Sequence, residues 1–247
     1  MSNERLRAAV LTSDLSIHSL AEHVGVDPKT VERWISKDRV PHRSHRIRAA
    51  QVLHQDDAYL WPTVVEDPAT ERASAAELVQ FWPNRGTVPV ERWIQLTEHA
   101  TEAIDLLAFA GSFLHDALPG FTDLLERRAR AGVRVRLLFG DPDSEAVARR
   151  GAEEGIGDGM AARVRLTWAY FAPLLDVPGV EARQHGQTLY ASLFRFDGDL
   201  FVNSHTIGQA ASHSPVLHIR QIPGARVFRH HMQGFEQTWE SANPPPA

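Results

Sequence analysis

The chain has 247 residues, 43% hydrophobic and 23% charged, with no cysteine and a formal net charge of −5. That balance excludes wholesale disorder, and the lack of cysteine excludes disulfides, thiolate chemistry and cysteine-ligated zinc. No signal-peptide-like stretch opens the chain and no run approaches membrane-spanning length, so a cytoplasmic protein with no membrane association is expected, built as one large domain or two unequal ones. Charge is unevenly spread. Residues 1–62 carry a net +1 and the remainder −6, yet residues 28–48 hold seven Lys/Arg against two Asp/Glu. A basic patch on an acidic chain is the electrostatic footprint of a nucleic-acid-binding face, and a solvated helix face is the plain alternative.

In chain order, "ERLRAAVLTSDL" reads as a first helix. In "SIHSLAEHVGVDPKTVERWI", residues 16–35, Ser16 caps a helix whose apolar positions are Ile17, Leu20, Ala21 and Val24. Gly25 supplies the positive φ that ends it. Asp27 caps the next helix, with Pro28 at its first position, where a missing N–H does no harm. Val31, Trp34 and Ile35 then share one side. At 100° per residue Lys29 and Arg33 fall nearly opposite, flanked by Thr30, Ser36 and Lys37. One side is thus anchored in a core, and the other offers cations and hydroxyls for a major groove. "HRSHRIRAAQVLH" reads as a following helix, and "WP" at 61–62 as the last packed edge. A polar linker over 63–77 is marked by "EDPATERASAAE" at 66–77.

The remainder alternates. "IDLLAFAGS" reads as a strand, "GFTDLLERRARAG" as an amphipathic helix and "VRVRLLFGD" as a second strand. Residues 143–171 read as helical, broken at "GIGDG". Three extended runs follow, "VEARQH", "LYASLFRFD" and "DLFVNSHTIG", the last two joined by the hairpin signal Asp197-Gly198. A final helix, "FRHHMQGFEQTWESA", would bury Phe228, Met232, Phe235 and Trp239. The expected fold class is α + α/β: a helical bundle over 1–62, a linker over 63–77, an α/β domain with a mixed sheet over 78–242, and a disordered tail at 243–247.

"SLAEHVGVDPKTVERWI" resembles the helix-turn-helix of bacterial Cro/repressor-type (XRE) DNA-binding families, with Ala21, Gly25, Val26 and Val31 in the characteristic places. The resemblance implies double-stranded DNA as partner, with Lys29, Thr30 and Arg33 facing bases near Pro28 and Lys37. It places Arg39, His42, Arg43 and Ser16 near phosphates. The second domain resembles the phospholipase D superfamily through "LLERRARAGVRVRLLFGD" and the hairpin. That family carries His-x-Lys-x4-Asp on one strand and Gly-Ser-x-Asn on the next. Here Tyr190 stands at the histidine place and Ser192 at the lysine place, while Asn203, Ser204 and Thr206 stand at the Gly, Ser and Asn places, so only Asp197 and Ser204 match. A histidine nucleophile and a lysine cation are what that chemistry needs, so a catalytically inactive domain is expected.

What remains is a polar site in which Tyr190, Ser192, Arg195, Asn203, Ser204, His205 and His185 are candidates to hold a small anionic or hydroxyl-bearing ligand. On strand alternation Tyr190 and Ser192 share a face with Phe194 and Phe196, and Arg195 takes the other. The same residues could instead lie in a dimer interface. Asp141 and Asp143 in "GDPDS" read as a helix-opening turn, "RHH" at 229–231 lacks metal-ligand spacing, and no cofactor or metal motif stands out. The expectation is a transcriptional regulator, homodimeric on an inverted repeat, whose second domain supplies dimerisation and ligand sensing. The alternative is a DNA-targeted phosphodiesterase or nuclease using His185 or His205.

Overall fold

A computed structural model describes residues 2–13, 15–61 and 73–246. The chain divides into two compact units, residues 1–71 and 72–247.

The first unit is all helical: α1 (Glu4–Thr12), α2 (Ile17–Val24), α3 (Pro28–Ser36), α4 (Arg43–Val52) and the single turn α5 (Asp57–Leu60). Local chemistry sets its boundaries. The Asn3 side chain accepts from the Leu6 N–H at 2.9 Å, and its amide donates to the Leu60 carbonyl at 2.8 Å, fastening the first helix to the last turn. Ser16 accepts from the Ser19 N–H and Asp27 from the Lys29 N–H, so both helices of the central pair are capped as the sequence indicates. Gly25 sits at φ +79°, and its N–H donates to the Ala21 and Glu22 carbonyls. A side chain there would be strained, and the turn into α3 is only three residues long. Leu6, Leu20, Ala21, Val31, Ala49 and Leu60 are completely buried, with Trp34 edge-on to Trp61 at 6.3 Å.

The second unit is a seven-stranded mixed sheet in the order β1-β7-β6-β5-β2-β3-β4. Its strands are β1 (Leu78–Trp82), β2 (Ala103–Ala108), β3 (Arg134–Gly140), β4 (Val180–His185), β5 (Ala191–Phe196), β6 (Asp199–Ser204) and β7 (Val216–Arg220). β2, β3 and β4 are parallel; β5, β6, β7 and β1 continue antiparallel. The expected α + α/β class is therefore present. β1 and β7 were not legible in the sequence. β1 is a five-residue edge strand with four exposed positions, and β7 carries a buried His218 among its apolar residues.

The helices of this unit are α6 (Val90–His99), α7 (Phe113–Asp116), α8 (Phe121–Arg130), α9 (Glu145–Glu153), α10 (Gly159–Phe171) and α11 (Val227–Glu240). Strand alternation divides them. Phe194, Phe196 and Phe201 point to the face of α6, where Trp93 packs on all three. Phe139 meets Trp168 of α10 on that face. On the opposite face α11 lies against β4 and β7. It is tied there by charge: Asp105, fully buried on β2, accepts from Arg136 at 2.6 Å and Arg195 at 3.0 Å, and Arg136 reaches Glu236 of α11 at 2.7 and 2.8 Å. "GIGDG" ends α9 as expected, for a tight reason. Gly157 lies so close to Gly151 that a Cβ added at Gly151 would stand 2.1 Å from the Gly157 carbonyl oxygen.

Two expected boundaries differ. Residues 62–72 lie outside the described residues, but 73–76 are helical and Glu77 is buried within the second unit. Its carboxylate accepts the Val227 and Phe228 N–H groups at 2.7 and 2.9 Å, capping α11. The last part of the expected linker is thus structural, because two orphan donors of α11 need an acceptor. Similarly Asn243, placed by sequence in the tail, exchanges two 2.9 Å backbone hydrogen bonds with Gln184.

Candidate nucleic-acid interface and candidate ligand pocket

In α3, Val31, Trp34 and Ile35 are buried, while Lys29, Arg33, Ser36 and Lys37 are exposed and Pro28 and Thr30 half-buried. Of the seven cations over 28–48, two serve the fold: Arg46 pairs with Asp57 at 3.1 Å, and Arg48 donates to the Val24 carbonyl. Lys29, Arg33, Lys37, Arg39 and Arg43 have no carboxylate partner among the described residues. Arg39, His42 and Arg43 are exposed around the start of α4, and Ser16 is exposed at the start of α2. Five exposed cations without a carboxylate partner among the described residues thus lie within one short segment.

The candidate ligand residues do not form one site. Ser192 and Asn203 point to the α6 face and meet His205 and Arg85 there. Tyr190 is the correction to strand alternation. It precedes β5, its side chain is 85% exposed, and it opens with Ser204, Ala191 and Leu193 onto a broad groove of about 720 Å³ beside His230 and His231 of α11. His185 is buried, with Nε2 3.2 Å from the Ala108 carbonyl, and lines neither cavity. Burial holds its pKa below the ordinary value. Arg195 is taken up by Asp105 and the Asp197 carbonyl.

The compact pocket lies at the carboxyl end of β2 and has a volume of about 90 Å³. His205 stacks on Phe109 at 5.7 Å, and its Nδ1 is 3.1 Å from the Leu189 carbonyl, which can only accept. Nδ1 therefore carries the proton, and Nε2 accepts from the Ser192 hydroxyl at 3.0 Å. Burial, reinforced by the charges of Arg150, Arg85 and His185, pushes the His205 pKa down to about 4. So weak a base is poorly matched to activating a hydroxyl at neutral pH.

Sequence reasoning missed the arginines of this pocket, Arg85, Arg150 and Arg163. Arg85 donates to Asn203 Oδ1 at 3.2 Å, and its guanidinium lies 4.3 Å over the Phe113 ring. Burial lowers its pKa to about 10, partly countered by Glu154. Arg150 is buried and fully engaged, reaching Glu154 at 2.7 Å, Glu153 at 3.3 Å and the carbonyls of Thr206 and Gln209. Neither of the first two carries a local signal: Arg85 sits in a Pro/Asn/Gly turn, and Arg150 with Glu154 reads as an ordinary i,i+4 surface pair.

Asp197, the family-matching aspartate, lies in the β5–β6 turn at φ +51°, at the far end of β5 from Ser192. It accepts the N–H groups of Thr101, Glu102 and Ala103 and the Thr101 hydroxyl. Burial alone would raise its pKa; those bonds outweigh it and hold the carboxyl below its ordinary 3.8. Asp199, bonded to His218 and Arg220, and Glu236, bonded to Arg136, are lowered likewise. Depressed folded-state values stabilise the fold above the ordinary carboxylate range, and that stability is lost as pH falls through the depressed values. The melting temperature is expected to fall gradually below about pH 6.5, as the unfolded chain protonates histidines that burial keeps neutral at His185 and His205, and to drop further below about pH 4, with that last drop reduced in Asp197→Asn. Asp141 and Asp143 form the helix-opening turn before α9, with Asp143 paired to Arg165 at 2.6 Å. Among the described residues no helix is long and apolar enough to cross a membrane.

Residues 76–186 match the family described as a domain of unknown function (DUF5919). No curated protein matches the chain. Among solved structures, the chain is similar to an archaeal chromatin protein, TrmBL2, described as showing a novel mode of DNA binding. The two share 15% identity over 97% of this chain and 92% of that one, with a TM-score of 0.42. It is also similar to a phospholipase D family member, Nuc from Salmonella typhimurium, at 13% identity over 62% of this chain and 88% of that one, TM-score 0.35. At these values the likenesses are of outline and do not bear on chemistry.

Proposed function

We propose that this protein is a sequence-specific DNA-binding transcriptional regulator that inserts α3 into the major groove and pairs, through its second unit, into a homodimer on an inverted repeat. The reading rests on one observation: α3 buries Val31, Trp34 and Ile35 and exposes Lys29, Arg33 and Lys37 with no carboxylate partner among the described residues. Uncompensated cations opposite a packed face suit phosphate and guanine contacts. Twofold pairing would set half-sites one helical turn, roughly 34 Å, apart.

The second unit acts in this reading as a non-catalytic sensor and dimerisation domain. No lysine follows Lys37 in the chain, so the lysine of phospholipase-D-type chemistry has no counterpart there. Nuclease action through His185 or His205 has little support: one is buried against a carbonyl, and the other is a base of pKa about 4.

Selection of bound fragments from random duplex DNA tests the reading. The wild-type protein is expected to recover an inverted repeat. Arg33→Ala should weaken binding to that site by about 1–3 kcal/mol and relax its sequence preference, whereas Arg43→Ala should weaken all sequences alike and flatten the salt dependence. Recovery of no preferred sequence, or an Arg33→Ala protein indistinguishable from wild type, refutes it.

A further inference from the structure

We propose that the pocket between Arg85, Ser112 and Ser212 binds a small, singly charged oxyanion, best matched by a carboxylate group, and that Arg85 is its counter-ion. The inference rests on the sensor role proposed above and supplies the chemistry of what is sensed.

Arg85 is the observation that demands a partner. A guanidinium has five N–H donors, and this one has a single acceptor, Asn203 Oδ1. Phe113 covers one of its faces, and no carboxylate pairs with it among the described residues. A part-buried cation without a counter-charge is costly, and protein sites normally supply one. The nearest candidate, Glu154, is already held by Arg150 at 2.7 Å and faces Arg163 at 3.8 Å. Among the described residues Arg150 and Arg163 each have a carboxylate within 4 Å, and Arg85 has none.

Size and charge narrow the ligand. Arg85, Arg150 and Arg163 stand against Glu153 and Glu154, an excess of one positive charge, and His205 is neutral. One negative charge balances that excess; a second would be repelled by Glu154. A volume of about 90 Å³ admits a carboxylate head and is too small to enclose a nucleotide. The planar fork of Arg85 fits a carboxylate with two parallel hydrogen bonds. The Ser112 and Ser212 hydroxyls line the same cavity and make no hydrogen bond among the described residues, so they are available as further donors. The Ser192 hydroxyl is committed to His205.

The test uses the full chain without DNA, so that its failure leaves the DNA-binding proposal standing and the reverse. The melting temperature is followed in sodium acetate, sodium phosphate at pH 8 and sodium chloride at matched ionic strength. Acetate is expected to raise it saturably over chloride, by about 3–6 °C at ten times the half-saturating concentration. The rise should vanish in Arg85→Gln and persist in Arg130→Gln, which removes a surface cation paired with Glu126 on α8. Should Arg85→Gln fail to fold, Ser212→Phe, which fills the cavity and leaves the Arg85–Asn203 bond intact, must abolish the rise instead. An acetate response no greater than that to chloride overturns the proposal, as does a response surviving either pocket variant. A stronger response to phosphate, doubly charged at that pH, overturns the single-charge assignment.

Discussion

Asp105→Ala is expected to destabilise the second unit by about 3–5 kcal/mol, read as a fall in the urea midpoint with little change in slope. The carboxylate is fully buried, accepts from Arg136 and Arg195 at 2.6 and 3.0 Å, and has Arg134 3.8 Å away. Removing it leaves the buried Arg136 and the part-buried Arg195 guanidiniums across a vacated site. Burial alone would lower the Arg136 pKa, but Glu236 and Asp105 hold it above the ordinary arginine value, so the cation persists when one partner is lost. The loss should therefore be mostly relieved by removing the cation as well. The double variant Asp105→Leu with Arg136→Met should recover a large part of the stability, because an apolar pair of similar size avoids the desolvation of both charges. A single Asp105→Ala variant as stable as wild type would show that the network contributes nothing.

The second large effect is expected at Trp93. Its indole is 2% exposed and meets Phe201 at 4.6 Å, Phe113 at 4.9 Å and Phe194 at 5.2 Å between ring centroids. Trp93→Ala should lose about 3–5 kcal/mol, from burial forfeited and the cavity left behind. Phe113 is the ring under the Arg85 guanidinium, so a protein that still folds should also respond less to acetate. Trp93→Phe, which keeps a ring edge toward Phe201, should lose much less. Equal melting temperatures for the two variants would mean that the cluster is not the centre of the core.

These two side chains mark the divide between what could be read in the chain and what could not. The helix-turn-helix was legible because each determinant is local: Ser16 and Asp27 cap within three residues, Gly25 turns, and the Val31/Trp34/Ile35 side follows from helical period. β2 and β3 were legible as strands from their apolar runs. The charged network of Asp105, Arg136 and Glu236 was not, because its members lie on three elements, and each alone reads as a surface charge. The pocket failed for the same reason: Arg85 and Asn203 are 118 residues apart and meet only because β1, β7 and β6 are neighbours. Tyr190 was misassigned because alternation was extended one residue beyond the start of β5, where the ladder no longer fixes the side-chain direction.

The Glu77 clasp decides where the larger unit can be cut. A fragment starting at Leu78 would look reasonable from the sequence, since a strand begins there. It would lack the carboxylate that accepts from Val227 and Phe228, the hydroxyl of Ser74 that accepts from Arg226, and the carbonyl that accepts from the Arg220 N–H. Those groups hold the first turn of α11 and the end of β7. A fragment for expression or crystallisation of the sheet unit alone should therefore retain the residues from 72 onward.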